Sequence, residues 1–179
     1  MTPFDIAVRF VLNNEKGINT NPKDPGGITN FGISLRFLKN MDKEILKNYL
    51  IFDEPTEQII INLTEEQAIK LYYGEFWLNA PFDRINNQTV CNYVFDMAIN
   101  LGISPAIKAV QRACWSACDN RKFLEEDGIL GETTLGCLNG NAKVFSALKS
   151  ERAGDYRVIV ATHPEQKEFI NGWLTRAYE

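Results

Sequence analysis

Apolar residues recur at helical spacing along most of the chain and lose that spacing in one place. Phe4, Ala7, Val8, Val11 and Leu12 form the apolar face of a first helix. Thr2 stands at its N-cap, Pro3 suits the first helical position, and Asp5 complements the positive helix start. Residues 16–34 break the pattern with Asn19, Asn21-Pro22, Asp24-Pro25-Gly26-Gly27, Asn30 and Gly32, punctuation that predicts loops or a short irregular hairpin. Ile28, Phe31 and Ile33 suffice for a small sheet. Helical spacing returns over 34–52 with Leu35, Leu38, Ile45, Leu46 and Tyr49. Residues 52–63 carry Ile59-Ile60-Ile61 and read equally as a strand or a buried helical turn.

Thr64-Glu65-Glu66-Gln67 is a capping box for a helix with Ala68, Leu71, Tyr72, Phe76 and Trp77, ended by Asn79-Ala80-Pro81. Val90, Val94, Met97 and Leu101 predict a long helix from Gln88 to Leu101, stopped by Gly102. Ser104-Pro105 restarts the chain as cap and first helical residue, with Ile107, Val110, Cys114 and Trp115 facing the core. Asp127-Gly128 and Leu130-Gly131 flank a loop before a helix over 132–138. Two last helices carry Phe145, Leu148, Tyr156, Ile159 and then Phe169, Trp173, Ala177. Trp173 is assigned to the core with Trp115. The pattern predicts a mainly α, two-lobed protein with a small irregular or β hairpin near residues 17–33, divided into 1–86 and 87–179.

A chain of 179 residues can bury a core without staples. Its formal net charge of −4 argues against a nucleic-acid partner. The opening Met1-Thr2-Pro3-Phe4-Asp5 has neither the basic region nor the apolar run of a signal peptide, and no apolar run reaches membrane-span length, so synthesis in the cytoplasm is expected. Cys114 and Cys118, four apart on one helix, would bridge poorly, and Cys91, Cys114, Cys118 and Cys137 are all expected as buried thiols. His163, the single histidine, precedes Pro164 in an interhelix turn. That is too little for a zinc site, and it makes a poor general base, so no metal and no cofactor are expected.

The chemistry concentrates where the helical pattern stops. Glu15 lies four and seven residues beyond Val11 and Val8, so it continues the buried stripe if the first helix runs that far. A carboxyl so placed is partly desolvated, which raises its pKa and suits a general acid. Asp24 lies in a polar turn, where a carboxylate stays ionised, and Thr29 follows on the return arm. A proton donor, a second carboxylate in an unlike environment and a hydroxyl to hold water are what hydrolysis of a glycosidic bond requires.

The segment resembles the N-terminal signature of the glycoside hydrolase family 108 N-acetylmuramidases, a family that includes phage endolysins and secretion-activator proteins. The residues carrying the resemblance are Glu15-Lys16-Gly17, then Asn21-Pro22-Lys23-Asp24-Pro25-Gly26-Gly27-Ile28-Thr29-Asn30-Phe31-Gly32-Ile33. Lys16 departs from the family's glycine and sets a cation beside the proposed acid, and Asn21 abuts Pro22 without a spacer. Downstream, Tyr73-Gly74-Glu75-Phe76-Trp77, Phe95-Asp96-Met97-Ala98-Ile99-Asn100-Leu101-Gly102, Ala109-Val110-Gln111-Arg112-Ala113, Asp127-Gly128-Ile129-Leu130-Gly131 and the closing Phe169–Arg176 region are similar to later parts of the family.

The resemblance implies a lysozyme-like two-lobed fold, with a muramidase catalytic lobe over 1–86 and a helical peptidoglycan-binding lobe over 87–179. It implies Glu15, Asp24 and Thr29 as catalytic residues, and Asn30, Tyr73, Asp96, Asn100 and Gln111 as substrate contacts. For Asp96 a salt-bridged structural role weighs as much, and Asn100 could equally hold a loop. The expected partners are peptidoglycan and a holin-like membrane protein for export. The expected state is a monomer acting in the periplasm or cell wall, in lysis or in toxin and protein secretion. A lytic transglycosylase and a non-catalytic peptidoglycan-binding protein are the rival readings.

Overall fold

A computed structural model describes residues 1–15, 17–20, 27–50, 54–118 and 125–179. Within them the fold is mainly α, with ten α-helices and one two-stranded antiparallel sheet. No helix among the described residues is long and apolar enough to cross a membrane.

Helix α1 (Pro3–Asn14) starts on a full capping box: the Thr2 side chain accepts from the Asp5 amide, and Asp5 accepts from the Thr2 amide at 2.7 Å. It buries Phe4, Ala7, Val8 and Val11, and it stops one residue short of Glu15, which is its extended C-cap. Strands β1 (Thr29–Asn30) and β2 (Ile33–Ser34) pair as Thr29↔Ser34 and Asn30↔Ile33. The two residues between them, Phe31 and Gly32, both have positive φ, 50° and 76°. Positive φ at both central positions is the mark of a type I′ hairpin turn. Asn19 adds a bridge to Thr29 on the other side of β1.

Helices α2 (Leu35–Asn40), α3 (Lys43–Leu50), α4 (Glu57–Ile61) and α5 (Glu65–Glu75) follow. The ambiguous stretch 52–63 is thus helical over 57–61, with Ile60 in the core. The expected capping box opens α5, Thr64 and Gln67 each bonding the other's backbone amide. Short 3-10 turns at Trp77–Asn79 and Phe82–Arg84 lead to α6 (Gln88–Leu101), whose bounds match the sequence reading.

Helix α6 is the axis of the molecule. Val90, Cys91, Tyr93, Val94, Phe95, Asp96, Met97 and Ala98 are buried around nearly its whole circumference, as expected of a central helix. It packs on α1 and on α7 (Ile103–Ala117). Helix α7 packs on α9 (Lys143–Thr162), and α9 on α10 (Ile170–Tyr178), with α8 (Glu132–Gly140) beside α7. One apolar core runs from Phe4 to Leu148 across both halves of the chain.

Three expectations are corrected. Helix α7 begins at Ile103 with Gly102 (φ 94°) as its cap, ahead of Ser104-Pro105. Trp115 is exposed, because it lies on the outer side of α7 from Val110 and Cys114. Cys118 and Cys137 form a disulfide, because the C-cap of α7 lies against α8, while Cys91 and Cys114 remain buried free thiols. Trp173 is partly buried, stacked on Tyr156 and Phe169.

Candidate active site

Glu15 sits where α1 ends against the tip of the hairpin. Its amide still bonds Val11 and Leu12 carbonyls, so the side chain leaves from a fixed backbone. The hairpin approaches it at a glycine: a Cβ on Gly32 would stand 2.9 Å from Glu15 Cγ and 2.4 Å from the Tyr72 hydroxyl. Gly32 therefore serves both its positive φ and the close approach of two side chains. Tyr72, on α5, donates its hydroxyl to the Phe31 carbonyl at 2.8 Å and so ties down the turn. Burial pushes the Tyr72 phenol well above its ordinary range, and the charge of Glu15 adds to the effect.

The Glu15 carboxylate does not end in an apolar wall, as its stripe position suggested. Arg176 Nη2, from α10, donates to Glu15 Oε1 at 2.9 Å, with the two side chains 18% and 21% exposed. The same arginine grips Asp96 with two donors, Nη2 to Oδ1 at 2.6 Å and Nε to Oδ2 at 3.1 Å. Asp96 is fully buried and accepts a third bond, from Arg152 Nη2 at 2.6 Å. Arg152 is itself fully buried on α9, donates Nε to the Tyr156 hydroxyl at 3.0 Å, and lies over the Tyr93 and Tyr156 rings. Burial pulls both guanidinium groups down, but Asp96 together with the Tyr156 and Tyr93 phenols at Arg152, and Asp96 together with Glu15 at Arg176, outweigh it, and both are raised overall and stay cationic. A buried carboxylate flanked by two arginines is paired and hydrogen-bonded, the condition under which a charge is tolerated inside a protein.

The other expected site residues fall into separate places. Thr29 is on β1, in the second pair from the hairpin tip, and its hydroxyl donates to the Gly27 carbonyl at 3.2 Å. Asp24, Lys16 and residues 21–26 as a whole lie outside the described residues. Asn30 is buried, and its amide donates to the carbonyls of Ile60, Ile61 and Leu63, fastening the hairpin to the end of α4. Asp96 has the structural role described above. Asn100 is exposed and donates to the Asp96 carbonyl.

Gln111 is buried and holds the loop before α8, donating to Asp127 and Ile129 and accepting from the Gly128 amide. Tyr73 is exposed and packs on Phe4, at the far end of α1 from Glu15. Eleven residues of helix separate those ends, about 16 Å. It borders a cavity of about 480 Å³ with Trp77 and Leu78. His163 is exposed at the end of α9, near Glu165. Among the described residues no cluster of histidine, cysteine and carboxylate side chains could hold a metal.

Sequence reasoning missed Arg152, placed Tyr72 on the apolar face of its helix without linking it to Glu15, and gave Arg176 no role of its own. The one available signal for Arg152 was its place, one turn before Tyr156 and one after Leu148, on the otherwise apolar face of α9.

The sequence matches the family model described as Glycosyl hydrolase 108 over residues 8–102. A second model, described as Predicted Peptidoglycan domain, matches residues 105–178. No curated protein matches the chain. Among solved structures, SagA of Brucella abortus is similar in fold, with a TM-score of 0.68 and 23% sequence identity, over 98% of this chain and 93% of that one. The ion-pair chain crosses the junction of the two matched regions three times: Glu15 and Asp96 lie in the first, Arg176 and Arg152 in the second.

Proposed function

The chain belongs to the glycosyl hydrolase 108 family and is a glycoside hydrolase directed at peptidoglycan, and on that premise we propose that it cleaves the β-1,4 bond between N-acetylmuramic acid and N-acetylglucosamine with Glu15 as the general acid. The observation that carries this reading is the placement of Glu15. It is a partly exposed carboxylate on a fixed helix end, against a glycine hairpin tip, with one oxygen held by Arg176. A proton donor must be held within hydrogen-bond reach of the leaving oxygen, and such a mount supplies that constancy.

In this reading Glu15 donates its proton to the glycosidic oxygen. Asp24 serves as base or as electrostatic partner of the cationic transition state, and Thr29 positions water. Tyr73 and Asn100, both exposed, remain as contacts for more distant parts of the glycan strand. Asn30, Asp96 and Gln111 contribute by holding the framework. The region 105–178 reads the peptide stems. The protein works as a monomer in the periplasm or cell wall, reaching it through a holin-like membrane protein, and serves lysis or the passage of a secreted protein or toxin.

Digestion of purified sacculi tests the proposal. The wild-type chain should release muropeptides with free muramic reducing ends, and Glu15→Gln should lower release at least about a thousandfold with an unchanged melting temperature. Activity retained by a folded Glu15→Gln sinks the assignment. Products carrying 1,6-anhydro ends would make the protein a lytic transglycosylase instead.

A further inference from the structure

We propose that Arg176 is a positioning residue for Glu15, and that the buried Arg152–Asp96 pair fixes its guanidinium there, so that the peptidoglycan region completes the hydrolase site. The inference rests on the reading of Glu15 as the acid and adds to it where the acid's geometry comes from.

The geometry separates this role from simple charge balance. Asp96 already has a cation in Arg152, at 2.6 Å and fully buried. Arg176 adds a planar two-point grip on the same carboxylate and turns the shared Nη2 onto Glu15. Two bonds to one carboxylate set the plane of a guanidinium. Asp96 cannot swing away, because both its oxygens are held inside α6, α9 and α10. A solitary surface arginine facing Glu15 would wander among rotamers, whereas this one is anchored before it reaches the glutamate.

Helix α10 is in turn fastened to the core. The Tyr93 hydroxyl donates to the Ala177 carbonyl, and Lys149 reaches the Tyr178 and Glu179 carbonyls. Oε1 is engaged by Arg176, and among the described residues no hydrogen bond occupies Oε2, the oxygen this role assigns to proton transfer. Among the described residues, the groups around the carboxylate from neighbouring elements are the Tyr72 phenol on α5 and Arg176 on α10, with Asp96 behind them.

The test uses the full-length chain and sacculi, with initial rates, sedimentation binding and melting temperature measured together on wild type, Glu15→Gln, Arg176→Lys and Arg176→Gly. Arg176→Lys keeps a cation but loses the fork. It should bind sacculi within about twofold of wild type and lose about 10- to 100-fold in kcat, since a displacement near 1 Å costs rates of that order. Arg176→Gly should lose more and regain several-fold with millimolar guanidinium but not with potassium at equal ionic strength. Wild type should gain nothing from guanidinium.

Full kcat in a folded Arg176 variant, a loss confined to KM or binding, or a loss that follows unfolding and ignores guanidinium would each overturn the positioning role while leaving Glu15 as the acid. An inactive wild type, or an active Glu15→Gln, would overturn the acid assignment and this role with it.

Discussion

Gly32 is the residue on which two side chains converge. Alanine there would bring a Cβ to 2.4 Å from the Tyr72 hydroxyl and 2.9 Å from Glu15 Cγ, at a φ of +76°. Strain of that kind costs about 1–3 kcal/mol, and relief requires moving the glutamate or the tyrosine. Gly32→Ala should therefore lower the melting temperature and depress kcat on sacculi at least tenfold while leaving sacculus binding intact. Adding Tyr72→Phe removes the closest atom, so the double variant should recover part of the stability but not the rate. A Gly32→Ala chain with wild-type rate would mean that Glu15 is not held against the hairpin.

Within this site, the place of Glu15 at the end of the first helix was legible in the sequence, because the helical spacing stops there; the continuation of the Val8 and Val11 stripe to Glu15 did not hold, because α1 ends at Asn14 and Glu15 is its extended cap. The partners of Glu15 were not legible. Arg176 lies 161 residues away and Asp96 meets Arg176 across 80, distances over which no local periodicity carries information. Tyr72 and Tyr73 are neighbours in sequence. The stripe of Ala68 and Leu71 put the first inside, and only the fold puts it beside Glu15.

At the level of elements, the helices whose ends carry their own chemistry were the readable ones. Thr2, Thr64 and Gly102 mark boundaries that the structure keeps, because caps are decided by atoms within a turn of the end. The short α4 was not decided by its own sequence, since three consecutive isoleucines fit a strand as well as a helix. Its closing carbonyls are met from outside, by the Asn30 amide on those of Ile60, Ile61 and Leu63. That placement separates a framework role for Asn30 from a substrate contact. Asn30→Ala removes the side-chain donor that these carbonyls share, leaving that of Ile60 only its local backbone partners, and should lower stability to urea by about 1–3 kcal/mol. Asn30→Asp sets a carboxylate against the same carbonyls and should cost more. If Asn30 instead contacts the glycan, the alanine variant would keep its stability and show only a raised KM.

Over the whole molecule, the two matched family regions meet between residues 102 and 105, yet the core does not divide there. Helix α6 packs on α1 and on α7 alike, and its Asp96 depends on arginines from the second region. A covalent tie adds to this within the second region. The Cys118–Cys137 disulfide joins the end of α7 to α8 across a sequence separation of 19. Spacing could not identify that pair, because the bridge depends on how two helices pack and not on the four-residue step between Cys114 and Cys118.

Disulfides persist in oxidising compartments, so the bridge accords with action at the cell wall. Closing a loop of this length contributes about 3 kcal/mol, so reduction, or Cys118→Ser with Cys137→Ser, should lower the melting temperature by roughly 6–12 °C. Cys91 and Cys114 should not confuse the measurement, since burial pushes both thiols up to about 12 and hides them from reagents until the chain unfolds. Protein prepared under oxidising conditions should therefore show essentially no reactive thiols when native, two when denatured, and four when denatured and reduced. Four thiols in the denatured, unreduced chain, or a melting temperature indifferent to reduction, would leave α7 and α8 joined by packing alone.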